Sequence, residues 1–169
     1  MLRYVEPKSG HSDNGPAWIG YVTPSKTGRT VYFNGRALGK FKGQQRDECG
    51  GNYCDIETGE SFWVSGVKKN GEDRHWAGSG KVLIEAAAVS EYLETIGASA
   101  FKSPRYEVTH SIVPTDIGKL EKLANQNSDE LLIRCWRMLL EKSSKRSRRS
   151  LKPPELVRTN SELRKYFVE

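Results

Sequence analysis

At 169 residues, 28% of them charged and 36% apolar (AVILMFWYC), the chain has the length of one compact domain, alone or with an appendage, and enough of it to bury a core. Its composition excludes collagen-like, coiled-coil and disulfide-scaffold classes. No run of about 18 apolar residues could span a membrane, and no basic start leads into an apolar leader, so a cytoplasmic protein is expected. The net charge of +6 lies wholly in residues 98–169, which carry 15 Lys/Arg against 9 Asp/Glu, while residues 1–97 balance 12 against 12.

Residues 1–15 read as a mobile lead-in. Residues 2–6 have the make-up of a short strand, and residues 8–15 are turn chemistry. From 16 to 85 the chain reads as short strands at 16–22, 29–33, 36–41, 52–56, 61–67, 73–77 and 81–84. Glycine turns separate them, and Asn34-Gly35 and Asn70-Gly71 are the strongest hairpin signals. Strands this short and close together predict a small antiparallel β-barrel or roll, an SH3- or OB-like meander. Closure is expected because an open sheet of this size leaves sticky edges.

The period changes at residue 85. Val89, Tyr92, Leu93 and Ile96 fall at i, i+3, i+4 and i+7, and Gly97 stands where a C-terminal cap belongs, which predicts an amphipathic helix capping the sheet. Residues 98–112 read as loose, with a strand signal at 106–109, and a short helix carries Ile117, Leu120 and Leu123. Residues 128–142 form a stronger helical pattern with Ser128 as N-cap and a double stripe through Leu131, Leu132, Cys135, Trp136, Leu139 and Leu140. Residues 142–152 hold six basic residues and no acid, Pro153 and Pro154 end the helix, and Asn160 opens a last short one. The expected fold class is therefore α+β, with a barrel domain over 16–97 and a helical region over 98–169.

Trp18-Ile-Gly-Tyr-Val22, Gly28-Arg-Thr-Val-Tyr-Phe-Asn-Gly35 and the stretch from Trp63 to Gly80 give residues 14–96 a distinctive wording. In these motifs the chain resembles a family of small bacterial proteins, some of which carry a label as deoxyxylulose phosphate synthase. The resemblance implies no activity to carry over. An enzyme of that type is several times longer, and the Gly-Asp-Gly and Asn pattern that binds thiamine diphosphate is missing here.

Gly78-Ser-Gly-Lys81 is not a phosphate loop, because His75 stands where a Walker A needs glycine and Val82 where it needs Ser or Thr. Cys49, Cys54 and Cys135 read as free thiols of a reducing compartment. Cys49 and Cys54 have a zinc-compatible spacing but lack a second clean pair, so neither metal nor cofactor is expected. Lys68, Lys69, Arg74, His75 and Trp76 are the most informative cluster. Cations beside rings on a small barrel suit single-stranded nucleic acid, with Tyr32 and Trp63 as further stacking faces if they point outward; the alternative puts these rings in the core. Asp73 and His75, two apart on a presumed strand, would share a face, a weak hint of general base chemistry. The basic block, with Lys145, Arg146, Arg148 and Arg149, suits phosphates or is a solvated connector.

The expected function is a non-enzymatic nucleic-acid-binding module, for RNA or DNA, with no membrane partner. The alternative is a regulatory subunit docking on a protein through the 128–142 helix, with Leu132, Trp136 and Leu139 as anchors. The zero net charge of residues 1–97 favours that alternative, since a dedicated nucleic-acid barrel is usually basic itself.

Overall fold

A computed structural model describes residues 1–8, 14–41, 50–75 and 78–126, the side chains of 123–126 excepted. The chain order is β1 (Leu2–Pro7), β2 (Ala17–Tyr21), β3 (Thr23–Pro24), β4 (Thr30–Phe33), β5 (Arg36–Lys40), β6 (Tyr53–Asp55), β7 (Ser61–Ser65), β8 (Val82–Glu85), α1 (Val89–Ile96), β9 (Tyr106–Thr109) and α2 (Ile117–Gln126). The strands form one curled, mixed sheet of nine in the order β3-β4-β5-β6-β7-β1-β2-β8-β9, a half-barrel.

Three expectations change here. The sheet is mixed where an antiparallel barrel was expected. β8 pairs with β2 in parallel, and β9 pairs with β8 in parallel. Parallel neighbours need a crossover: between β8 and β9 it is α1, which buries Tyr92 and Ile96 against the sheet, and between β2 and β8 it is the run of strands β3 to β7. Nor does the sheet close on itself. Its edges are blunted: β3 is two residues long and ends in proline, and β9 carries Glu107, ion-paired to Lys81 at 2.6 Å. Leu2–Pro7, expected at most as a short strand in a mobile lead-in, lies inside the sheet between β7 and β2.

The pleat sorts side chains to two faces. One face gathers Val5, Val31, Phe33, Leu38, Tyr53, Phe62 and Val64 into the core inside the curl. On the other, Tyr4, Ile19, Val82, Ile84 and Tyr106 pack under α1, while Tyr32 and Ala37 pack under Leu120 of α2. Burying each large side chain contributes on the order of 1.5–3 kcal/mol. The segment after β9 straps the two ends of the sheet together. Ile112 packs on the inner core, Val113 N–H donates to Asn34 Oδ1 at 2.8 Å, and Gly35 N–H donates to Thr115 Oγ1 at 2.8 Å. Residues 98–120 thus pack on the same sheet as residues 16–97.

Residues 73–75 form no strand, although 73–77 were expected to return one. The Asp73 carboxylate instead turns back to accept the Lys68 N–H at 2.7 Å, holding the segment as a loop. The 128–142 helix, the basic block, Trp76, Cys49 and Cys135 lie outside the described residues.

Candidate functional site

The loop from 68 to 75 is built around a tight turn. Gly71 N–H donates to Lys68 O at 3.0 Å, and Gly71 has φ +69°, where a side chain would be strained. A Cβ at Gly71 would also crowd Lys102 Cδ, at 3.1 Å. Asp73 joins the loop to the rest of the fold. One carboxylate oxygen takes the Lys68 N–H and the other accepts the Tyr92 hydroxyl at 3.2 Å. Asp73 N–H donates to the Tyr106 hydroxyl at 3.2 Å, which donates onward to Gly71 O at 2.9 Å. Tyr92 and Tyr106 stack with centroids 5.9 Å apart. Burial pushes the Asp73 carboxyl above its ordinary value, and the Lys68 N–H and the Tyr92 hydroxyl offset part of that rise. Burial, with Asp73 adding to it, also raises both tyrosines.

Against this loop lies the segment that enters β9, and between them opens a cleft of about 430 Å³. Lys68, Arg74 and His75 line one side, Lys102 and Arg105 the other, and buried Val82 and Tyr106 lie at its base. Among the described residues, Glu72 is the one acid in the lining. Lys68 Nζ donates to Glu72 O at 2.8 Å, Lys102 Nζ to Asn70 O at 2.9 Å and Arg105 to Gly78 O at 2.8 Å. Among the described residues, these three exposed cations meet main-chain carbonyls and form no ion pair. A carbonyl orients a cation without cancelling its charge.

Arg74 is different. It is 8% exposed, its Nε lies 3.3 Å from Glu6 Oε1 on β1, and it donates to Gly15 O at 2.7 Å. Its charge is neutralised inside the fold, so it works as a tether between the loop, β1 and residue 15. Next to it, Gly80 has room for no side chain. A Cβ there would collide with the carbonyl oxygens of Asn14 and Gly15 and with the Arg74 guanidinium. Close backbone approach therefore accounts for glycine at position 80, within the Gly78-Ser-Gly-Lys81 run.

The cleft thus brings together Lys68, Arg74 and His75 of the expected cluster, Arg74 with its charge already engaged by Glu6. Lys69 is exposed on the turn and lines nothing there. Trp76, Lys145, Arg146, Arg148, Arg149, Leu132, Trp136 and Leu139 lie outside the described residues. Tyr32 is 5% exposed and Trp63 packs on the core under α1, so neither presents a stacking face. Asp73 is buried with both oxygens engaged while His75 is exposed, so they do not form the shared face a general base pair needs. Lys102 and Arg105 escaped sequence reasoning. Their signal was the crossover itself, which returns β9, and the residues just before it, to the sheet beside β8.

Other polar groups are structural. Arg36 bridges Asp55 at 2.5 Å and Glu60 at 2.6 Å over the Phe62 ring, and Asp55 Oδ1 accepts the Glu57 and Thr58 N–H groups of the turn. Cys54 is disulfide-bonded, which corrects the free-thiol expectation for that residue. An odd cysteine count says nothing of the roughly 4.4–6.8 Å Cα separation that decides whether two can join. Among the described residues no three His, Cys, Asp or Glu side chains gather as metal ligands. Comparison with family models, with curated proteins and with solved structures finds no match for this chain.

Proposed function

We propose that the protein is a non-enzymatic nucleic-acid-binding module that meets phosphate oxygens at the cleft between the 68–75 loop and the entry to β9. One observation carries this reading. Lys68, Lys102 and Arg105 converge on one cavity with their charges uncancelled by any ion pair among the described residues. The balanced charge of residues 1–97 hides this, because two of the three cations come from beyond residue 97. Phosphate contacts supply most of the affinity of such modules, and the basic block at 142–152 adds to the same term. Base stacking on Tyr32 and Trp63 has no part in the reading, since both serve the core.

The test is fluorescence anisotropy of the full chain with single- and double-stranded DNA and RNA oligonucleotides over a salt series. Affinity is expected to fall steeply with salt. Replacing Lys68, Lys102 and Arg105 together by Gln is expected to flatten the log–log slope by about 0.7–0.9 for each phosphate no longer neutralised. No binding at low salt, or a slope indifferent to the three substitutions, overturns the reading.

A further inference from the structure

We infer that the cleft is a one-phosphate site: it takes a single phosphomonoester, on a strand end or on a free sugar phosphate, and does not track a continuous backbone. This rests on the phosphate reading above and narrows it. The first ground is size. About 430 Å³ is the lower range of small-molecule pockets, which span ~300–1,000 Å³, whereas grooves for single strands cover about 4–16 nucleotides.

The second ground is that main-chain carbonyls already orient two of the lining cations. Lys102 donates to Asn70 O and Arg105 donates to Gly78 O. A terminal group in the cleft takes the remaining donors of the same two side chains. Lysine has three N–H donors and arginine five, so each keeps donors free after its carbonyl bond. The third ground is charge. A phosphomonoester carries about −1.5 to −2 at neutral pH, nearly twice the charge of a diester, which suits three cations lining one small cleft.

The lining also predicts indifference to the base. Tyr106 is stacked on Tyr92 and its hydroxyl is engaged with Asp73 and Gly71, so its ring is already occupied. Selectivity then lies in the phosphate alone.

The experiment uses the full chain and one short single-stranded sequence in three forms: 5′-phosphorylated, 3′-phosphorylated and with hydroxyls at both ends. Ribose 5-phosphate is the competitor. A phosphorylated form is expected to bind about tenfold more tightly than the hydroxyl form. Lys102→Gln and Arg105→Gln are each expected to pull that ratio toward one while the chain still melts in one cooperative transition, because both side chains are exposed. Lys68→Gln serves as the independent third variant. Ribose 5-phosphate that erases the advantage shows that a free phosphomonoester is accepted; an advantage that survives it shows that the strand end is required. Equal binding of all three forms, with the cleft variants weakening each alike, overturns the one-phosphate inference and leaves the nucleic-acid reading standing. Binding that ignores the cleft variants overturns both.

Discussion

Asp73 and Arg74 are adjacent in sequence, both buried, and both anchored to other elements, which makes this pair the most sensitive point of the cleft. Burial holds the Asp73 carboxyl above its ordinary 3.8. As pH falls, the folded chain therefore takes up this proton before the unfolded chain does. The associated stability is complete below the unfolded value and is lost as pH rises through the higher folded one. Asp73→Asn removes that dependence. The melting temperature of the wild type relative to Asp73→Asn is expected to improve as pH is lowered from neutrality toward 3.8, and a constant difference across that range would refute the assignment. Arg74 faces Glu6 with side chains 5% and 2% exposed. Arg74→Ala leaves the buried Glu6 carboxylate to Lys8 alone, at 2.8 Å, and is expected to cost about 1–3 kcal/mol in urea denaturation. Lys69→Ala, on the exposed turn, should stay within about 0.5 kcal/mol. Gly80→Ala pushes a methyl group into two carbonyl oxygens and is expected to destabilise by more than the usual ~1 kcal/mol of a point substitution, read from the same denaturation curves.

At the scale of elements, β9 and α2 decide whether the sheet stands. Ending the chain after Gly97 removes the edge strand paired to β8, the strap onto Asn34 and Gly35, and the Leu120 cover over Tyr32 and Ala37. Such a truncation is expected to lose cooperative melting by circular dichroism; a sharp transition near that of the full chain would show that the strap is dispensable. The hairpins at Asn34-Gly35 and Asn70-Gly71 and the α1 stripe ending at Gly97 were legible in the sequence, because turn chemistry and the 3.6 period are local signals. The position of β1 was not. Alternation tells which face a residue takes but not which strand lies beside it, and β1 pairs with β7 across some sixty residues, Tyr4 opposite Ser65. The strand expected over 73–77 failed at Asp73 because a carboxylate bonded to a nearby N–H competes with the ladder. Half of the cleft was visible for the same reason that half was not. Lys68 and His75 stand together in sequence, while Lys102 and Arg105 reach them only through the parallel crossover.

For the whole molecule, charge balance and charge placement say different things. The first 97 residues are neutral in sum, yet Arg74 is cancelled by Glu6, and Arg36 by Asp55 and Glu60, while Lys68, Lys102 and Arg105 keep their charge where the two halves of the chain meet. Neutralising the basic residues of 142–152 is expected to lower overall affinity and its salt slope while leaving any preference for a phosphorylated end intact, a separation that anisotropy on the full chain can read directly. The inserted first strand carries a cost in time. β1 is made early, but its β7 neighbour is made some sixty residues later, Ser65 after Tyr4. At about 5–20 residues per second, a nascent chain would wait roughly 3–12 seconds with one flank of β1 bare. Chaperone demand during translation should therefore be set by this first strand, and a permuted chain that places β1 directly after β7 should shed it.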